Sequence, residues 1–222
     1  MPCMERANIQ PEKGISRTFQ PEWDRRALEV LREPLESGVV TVSRAARSSE
    51  FPARFQLVAA MNPCPCGWAG DRSGRCHCGI DAIRRYRARV SGPMLDRIDL
   101  HVEVPRLAPT ELRADAPPGE SSAEVRVRVA QARELQRSRA GKVNAQMTQA
   151  ETSATCRLDD RDYGLLERAV ETLQLSARST HRILRVARTI ADLAGSPRIH
   201  SAHLTEAIGY RRADRGQFNQ AA

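Results

Sequence analysis

Four cysteines fall as two tight pairs, Cys64-Pro65-Cys66 and Cys76-His77-Cys78, with Gly67, Gly70, Gly74 and Gly79 available for the turns that bring the pairs together. Tetrahedral zinc takes four thiolate or imidazole ligands, and close pairs on two turns present them at little loop-closure cost. A single residue inside each pair is tighter than the usual spacing of about two to four, and it strains chelation. Three readings stay open: structural zinc on Cys64, Cys66, Cys76 and Cys78, reduced free thiols, or a redox role. His77 is a reserve ligand, and Cys3 and Cys156 stand alone.

Three sets of polar residues have positions suited to phosphate. Asn62 follows the apolar run Phe55, Leu57, Val58, Ala59, Ala60, so it sits at the end of an expected buried strand, where rigid backbone positions a side chain well. Arg97 lies between Asp96 and Asp99. Carboxylates there can hold the guanidinium in one rotamer, either as a structural ion pair or ready to meet charge developing on a γ-phosphate. Arg178, Arg182 and Arg185 recur at i, i+4 and i+7, with Ile183, Ala187, Ile190 and Ala194 opposite. That helix is expected to bury one side and offer a guanidinium stripe on the other, as a solvated face or a phosphate reader.

The positioning elements divide the chain. Asp24 to Ser37 carries Leu28, Leu31 and Leu35 at helical spacing and predicts one amphipathic helix, weakened at Pro34 and stopped by Gly38. Val39 to Arg44, a polar turn over 46–50 and Phe51 to Gln56 predict a hairpin feeding a core strand, Leu57 to Met61. Arg44, Arg47 and Arg54 decorate this hairpin, as surface charges or as DNA contacts. Asp81 to Val90 predicts a short basic helix, and Leu100, Val102 and Val104 in alternation predict a strand over 99–104. Pro109, Pro117, Pro118 and Gly119 mark a linker. Beyond it four helices are expected: one capped by Ser121 or Ser122, then Asp159 to Leu173, Ser176 to Ala194, and Ser201 to Arg211 capped by Ser201.

With 222 residues, 41% of them hydrophobic and 4% aromatic, the chain can bury a core. No apolar run approaches the roughly 20 residues of a membrane span, and the N-terminus carries no apolar signal region, so a cytoplasmic location is expected. A net charge of +8 suits a polyanionic partner. Only Lys13 and Lys142 are lysines, however, and a GC-rich coding bias toward arginine produces the same balance.

Several long stretches carry a resemblance: residues 21–38 (PEWDRRALEVLREPLESG), 51–63 (FPARFQLVAAMNP), 91–99 (SGPMLDRID), and Ser176-Ala177-Arg178 leading into 185–193 (RVARTIADL). Together they resemble closely the magnesium-chelatase-like AAA+ ATPases, in the ComM/YifB branch associated with competence and DNA branch migration. The resemblance implies an α/β fold: the last strands of an AAA+ P-loop core over 21–106, a linker at 107–119, and an all-α helical lid over 120–215. Residues 1–20 are an unmatched leader and 216–222 a tail. It further implies that Asn62 is the sensor-1 residue orienting the attacking water, Arg97 the arginine finger and Arg178 the sensor-2 arginine. The hairpin with Arg44, Arg47 and Arg54 resembles one that lines the DNA channel of related hexamers, and the paired cysteines occur in part of the family.

The family's phosphate loop, G-x-x-x-x-G-K-[ST], and its Walker B strand ending in Asp-Glu have no counterpart here; before Pro21 the chain reads Gly14-Ile15-Ser16-Arg17-Thr18-Phe19-Gln20. ATP and Mg2+ are therefore expected to bind only with the missing half, the chain being either a truncated gene product or one half of a split gene. The chain reads as the C-terminal portion of such an ATPase, inactive alone. The alternatives are a nucleotide-independent basic DNA-binding module with a zinc-stabilised insertion, and a non-functional remnant.

Overall fold

Pro34 decides how the chain enters its first folded unit. The computed structural model describes residues 24–44, 47–71, 73–107, 113 and 119–219, and these form two units that divide between Ile98 and Asp99. The expected leader, most of the expected linker and residues 220–222 of the expected tail lie outside the described residues. Instead of one helix over 24–37 there are two, α1 (Arg25–Val30) and α2 (Arg32–Ser37), meeting at Leu31. Pro34 has no N–H to donate, and its ring crowds the carbonyl four residues back, so an uninterrupted helix cannot pass it. Asp24 caps α1 by accepting from the Arg26 N–H at 2.9 Å. Gly38, at φ 73°, closes α2 by donating to the Pro34 carbonyl.

The hairpin pairs β1 (Val39–Arg44) with β2 (Arg47–Pro52), antiparallel, in register from Val39 opposite Pro52 to Arg44 opposite Arg47. The second arm thus begins at Arg47, inside the stretch expected as a turn, and only residues 45–46 separate the arms. Every residue of β2 is exposed. Next come α3 (Ile80–Arg87) and α4 (Gly92–Leu95), the latter capped by Ser91. The core of this unit is small: Leu28, Val90 and Met94 are buried, with Leu31, Leu35, Leu57 and Leu95 packed against them.

The expected strand over 57–61 does not form. Leu57 is half-buried, but Val58 is 44% and Met61 37% exposed, and β1 and β2 are the only paired strands among the described residues. In the second unit, the strand expected over 99–104 is likewise absent; Leu100, Val102 and Val104 are 49%, 65% and 83% exposed. Alternation marks a segment fit for a sheet, but a strand exists only where a neighbour takes up its N–H and C=O groups. Apart from a single bond from the His101 N–H to the Tyr210 carbonyl at 3.1 Å, no described segment pairs with either stretch.

The second unit is helical. Its elements are α5 (Ser122–Ala140), a 3-10 turn (Asn144–Gln146), α6 (Gln149–Thr155), α7 (Asp160–Thr172), α8 (Ala177–Leu193) and α9 (Ser201–Asn219). Ser121 caps α5 and Glu124 returns a bond to the cap, while Asp159 and Ser176 cap α7 and α8. Ser201 does not cap α9: its hydroxyl donates to Asp162, and the entry N–H of His200 instead donates to His203 Nδ1 at 3.1 Å. Helix α6 was not expected, although Thr148 and Glu151 form a reciprocal capping box ahead of it. Helix α8 is central, packing against α5, α6, α9 and the 3-10 turn. The core gathers Leu166, Ile183, Leu184, Ala187, Ala191, Ile199, Leu204, Ala207 and Ile208. Among the described residues no helix is long and apolar enough to cross a membrane.

Candidate functional site

The two cysteine pairs converge. The sulfur atoms of Cys64, Cys66, Cys76 and Cys78 all lie within 4.8 Å of one another, with Cys64–Cys66 at 3.3 Å, Cys66–Cys76 at 3.7 Å and Cys64–Cys76 at 3.8 Å. A tetrahedron of thiolates around zinc, with Zn–S of about 2.3 Å, sets its sulfurs about 3.8 Å apart. The one-residue spacing therefore does not keep the ligands from a chelating arrangement. Gly67 and Gly70, at φ 79° and 84°, supply the left-handed turns behind the first pair. The Gly67 N–H donates to the Cys64 carbonyl at 3.0 Å, and the Ala69 N–H reaches the Cys64 sulfur at 3.3 Å.

Cys64 is fully buried. Burial alone would raise its pKa, but the Cys66 thiol, the Ala69 N–H and the Cys76 thiol together bring it down to about 6. Opposing that, Cys78 is pushed up to about 11: a backbone bond at Cys66 favours its thiolate, but the Cys66 and Cys64 sulfurs and burial outweigh it. Zinc takes cysteine as the thiolate, so the lowered pKa of Cys64 favours metal binding. Within the loop the Arg75 guanidinium stacks over Trp68, 4.8 Å from its ring centre. Arg87 ties α3 to the loop by donating to the Pro63 carbonyl. The donor set, the sulfur spacing and the second-layer N–H all fit zinc.

Asn62 is exposed at the start of this loop, its amide group within van der Waals reach of a Cβ placed on Gly67. It is not at a strand end, because no strand forms there.

Arg97 is held differently from the expectation. Its carboxylate partner is Glu36 of α2, at 2.6 Å, and it also donates to the carbonyls of Arg32 at 3.1 Å and Pro93 at 2.7 Å. Asp99, expected to help fix it, pairs with Arg182. The Arg97 side chain is only 10% exposed, so it ties α2 to α4. Arg97→Ala is expected to destabilise the chain by about 1–3 kcal/mol, the scale of a lost charged hydrogen bond plus an unsatisfied carbonyl. Urea titration checks this, and an unchanged midpoint would show that the guanidinium is not a structural tie.

The hairpin arginines divide between its two ends. Arg44 and Arg47 are register partners at the far end, and Arg47 is exposed. Arg54 lies at the base, its side chain over Gly38 so closely that a Cβ there would meet Arg54 Cγ at 2.8 Å.

The guanidinium stripe of α8 is not a surface feature. Arg178 is exposed in the first turn, but Arg182 is buried and paired with Asp99 at 2.5 Å, and Arg185 is half-buried. Arg185 donates to the carbonyls of Ala145 and Met147, and burial lowers its pKa from the ordinary guanidinium value. The stripe turned inward because α8 has neighbours on several sides, which helical periodicity alone does not reveal.

A second polar cluster centres on Asp192 of α8. Arg139 of α5 contacts both its oxygens at 2.7 Å, Asn144 donates to it at 2.9 Å, and Arg188 donates at 3.1 Å. Arg188 continues to the carbonyls of Ser196 and Pro197. Burial opposes the charge of Asp192, but the Arg139 and Asn144 donors outweigh it and hold its pKa below the ordinary value. The signal available in sequence was Arg188 and Asp192 at i, i+4 beside Ala187 and Ala191.

Residues 19–112 match the family model described as magnesium chelatase, subunit ChlI, and residues 119–211 match that of the subunit ChlI C-terminal region. Competence protein ComM of Haemophilus influenzae is 50% identical over 191 residues, covering 86% of this chain and 37% of the relative. The chain belongs to the magnesium-chelatase-like ComM/YifB family. YifB of Escherichia coli is 47% identical over 195 residues, covering 88% of the chain and 38% of YifB. An uncharacterized Mycobacterium tuberculosis protein is 38% identical over 190 residues, covering 84% and 37%. This ComM/YifB chain thus spans under two fifths of the length of these relatives. Among the described residues the first matched region carries short helices and the hairpin, and the second is helical.

Proposed function

We propose that this chain is the sensor-and-lid portion of a ComM/YifB-type AAA+ ATPase acting on DNA, active only beside a polypeptide that carries the phosphate loop and the acidic magnesium ligands. The supporting observation is the pair of strand-patterned segments, 55–61 and 99–104, that have no ladder partner among the described residues and leave Val58, Met61, Leu100, Val102 and Val104 exposed. Such edges are stabilised by added strands. In this reading Asn62 orients the attacking water, Arg178 reads the nucleotide from the lid, and Arg97 exchanges Glu36 for a γ-phosphate of a neighbouring subunit in a hexameric ring. Catalysis of this class is mostly positioning and electrostatics, so sensors without the phosphate cradle leave hydrolysis at background.

The thiol tetrad, in the same reading, holds a structural zinc ion and plays no part in hydrolysis. A second reading, a nucleotide-independent DNA-binding module, is favoured by the exposed arginine at Arg47 and by the closed geometry of the thiol loop. Steady-state ATP hydrolysis separates them. The chain alone is expected at background, and mixed with a phosphate-loop-bearing N-terminal segment of a ComM/YifB protein it is expected to gain DNA-stimulated turnover, lost in Asn62→Ala. DNA binding without any gain in the mixture supports the module instead.

A further inference from the structure

Helix α5 carries five arginines, and the structure sorts them. Arg128 is bound to Glu120 through both nitrogens, and Arg139 is bound to Asp192. Arg126, Arg133 and Arg137 are exposed and make no ion pair among the described residues. At 100° per residue these three fall within about 40° of one another, and at 1.5 Å per residue they are spaced about 10 and 6 Å along the axis. With Val129, Ala130 and Glu134 they line a surface hollow of about 310 Å3.

A solvated helix face normally offsets its cations with acids at i±4. Here the i±4 neighbours of Arg126 are Ser122 and Ala130, those of Arg133 are Val129 and Arg137, and Arg137 is followed by Gly141. Arg133 and Arg137 repel each other, and Glu134 is the only acid lining the hollow. The row is therefore a line of three cations against one carboxylate, Glu134, at i−3 of Arg137.

We propose that the Arg126–Arg133–Arg137 face of α5 binds the phosphate backbone of duplex DNA. Three guanidiniums on one straight rod match a regular row of phosphates, and they read no sequence. The hollow contains no aromatic ring on which an unpaired base could stack, which disfavours single strands. The choice of DNA as the polyanion rests on the reading above; the site itself rests on the placement of these arginines and is separate from the hairpin.

The test is fluorescence anisotropy of the full chain on a random-sequence duplex between 50 and 200 mM salt. Three phosphate contacts contribute about 2.7 to the slope of log affinity against log salt, so R126Q/R133Q/R137Q is expected to flatten the slope by that amount. The R→K triple variant is expected to keep it, and R128Q, at an arginine already paired, is expected to leave it unchanged. Gln and Lys match Arg in helix propensity, and circular dichroism confirms the fold. An unchanged slope in the Gln triple variant, equal loss on single-stranded DNA, or loss confined to poly-glutamate binding overturns the proposal. R47Q/R54Q, run in parallel, tests the hairpin: loss there alone overturns the α5 site while leaving DNA action standing, and loss in the α5 variant alone supports the site whatever the ATPase result.

Discussion

Cys64→Ser is expected to reduce bound zinc from about one ion per chain to none and to unfold the first unit at temperatures where the parent is folded. Serine preserves the shape of the turn and removes the thiolate that is fully buried, within 3.8 Å of two other sulfurs, and held by the Ala69 N–H. The effect is large because little else closes this unit. Its core is three buried residues, Leu28, Val90 and Met94, and a few half-buried neighbours, while the only sheet among the described residues is one hairpin with an exposed second arm. Small cores of this kind commonly depend on a metal or a cross-link. In zinc-finger peptides structural zinc contributes on the order of 10 kcal/mol of folding free energy, and chelators unfold them. Metal analysis of the purified chain, followed by thermal melting with and without a chelator, checks the expectation. Zinc-free protein with an unchanged transition would establish the tetrad as reduced thiols. His77→Ala, beside the ligands but not among the four sulfurs, is expected to leave the metal content intact.

The features legible in the sequence were those set by neighbours along the chain. Ser121, Asp159 and Ser176 were readable as helix starts because a cap acts within three residues. The hairpin and the convergence of the cysteine pairs followed from alternation and from glycines at the turns. The thiol loop also shows where spacing misleads: one residue inside each pair looked too tight for four ligands, yet the separation of the two pairs, across Gly67 and Gly70, lets the sulfurs meet.

The features that were not legible depend on partners far away in sequence. Arg97 has acids on both sides in the chain, but its observed carboxylate partner is Glu36, 61 residues distant. Arg182 looked like part of an exposed stripe until Asp99, 83 residues before it, took its charge. The segments at 57–61 and 99–104 show the same limit from the other side. Their alternation is local, but a strand is a relation between two segments, and the second segment is absent from the described residues. The exposed arginines of α5 belong to a helix in which apolar and polar residues are mixed round the surface, with only Ala132 and Gln136 buried, so periodicity gave them no emphasis.

Asp192→Asn is expected to destabilise the second unit by about 3–5 kcal/mol, because it breaks a buried charge cluster from the middle. The carboxylate is 3% exposed and faces two guanidiniums, Arg139 and Arg188, the latter 2% exposed. Asparagine keeps the size but offers one acceptor oxygen and no charge, leaving the buried Arg188 and the partly exposed Arg139 uncompensated and the α5–α8 junction without its link. The pH dependence tests the cause. A carboxylate held below its ordinary pKa contributes stability in full above the unfolded value, and loses it as pH falls through the folded value. The gap between parent and Asp192→Asn, measured by urea unfolding, is therefore expected to be constant above the ordinary aspartate value of 3.8 and to close below it. Replacing the whole cluster is expected to behave differently: Asp192→Leu with Arg139→Met and Arg188→Met removes all three charges together and is expected to cost far less than the single change. If Asp192→Asn instead lowers stability equally at every pH, the loss is one of shape and the charge cluster is not what joins α5 to α8.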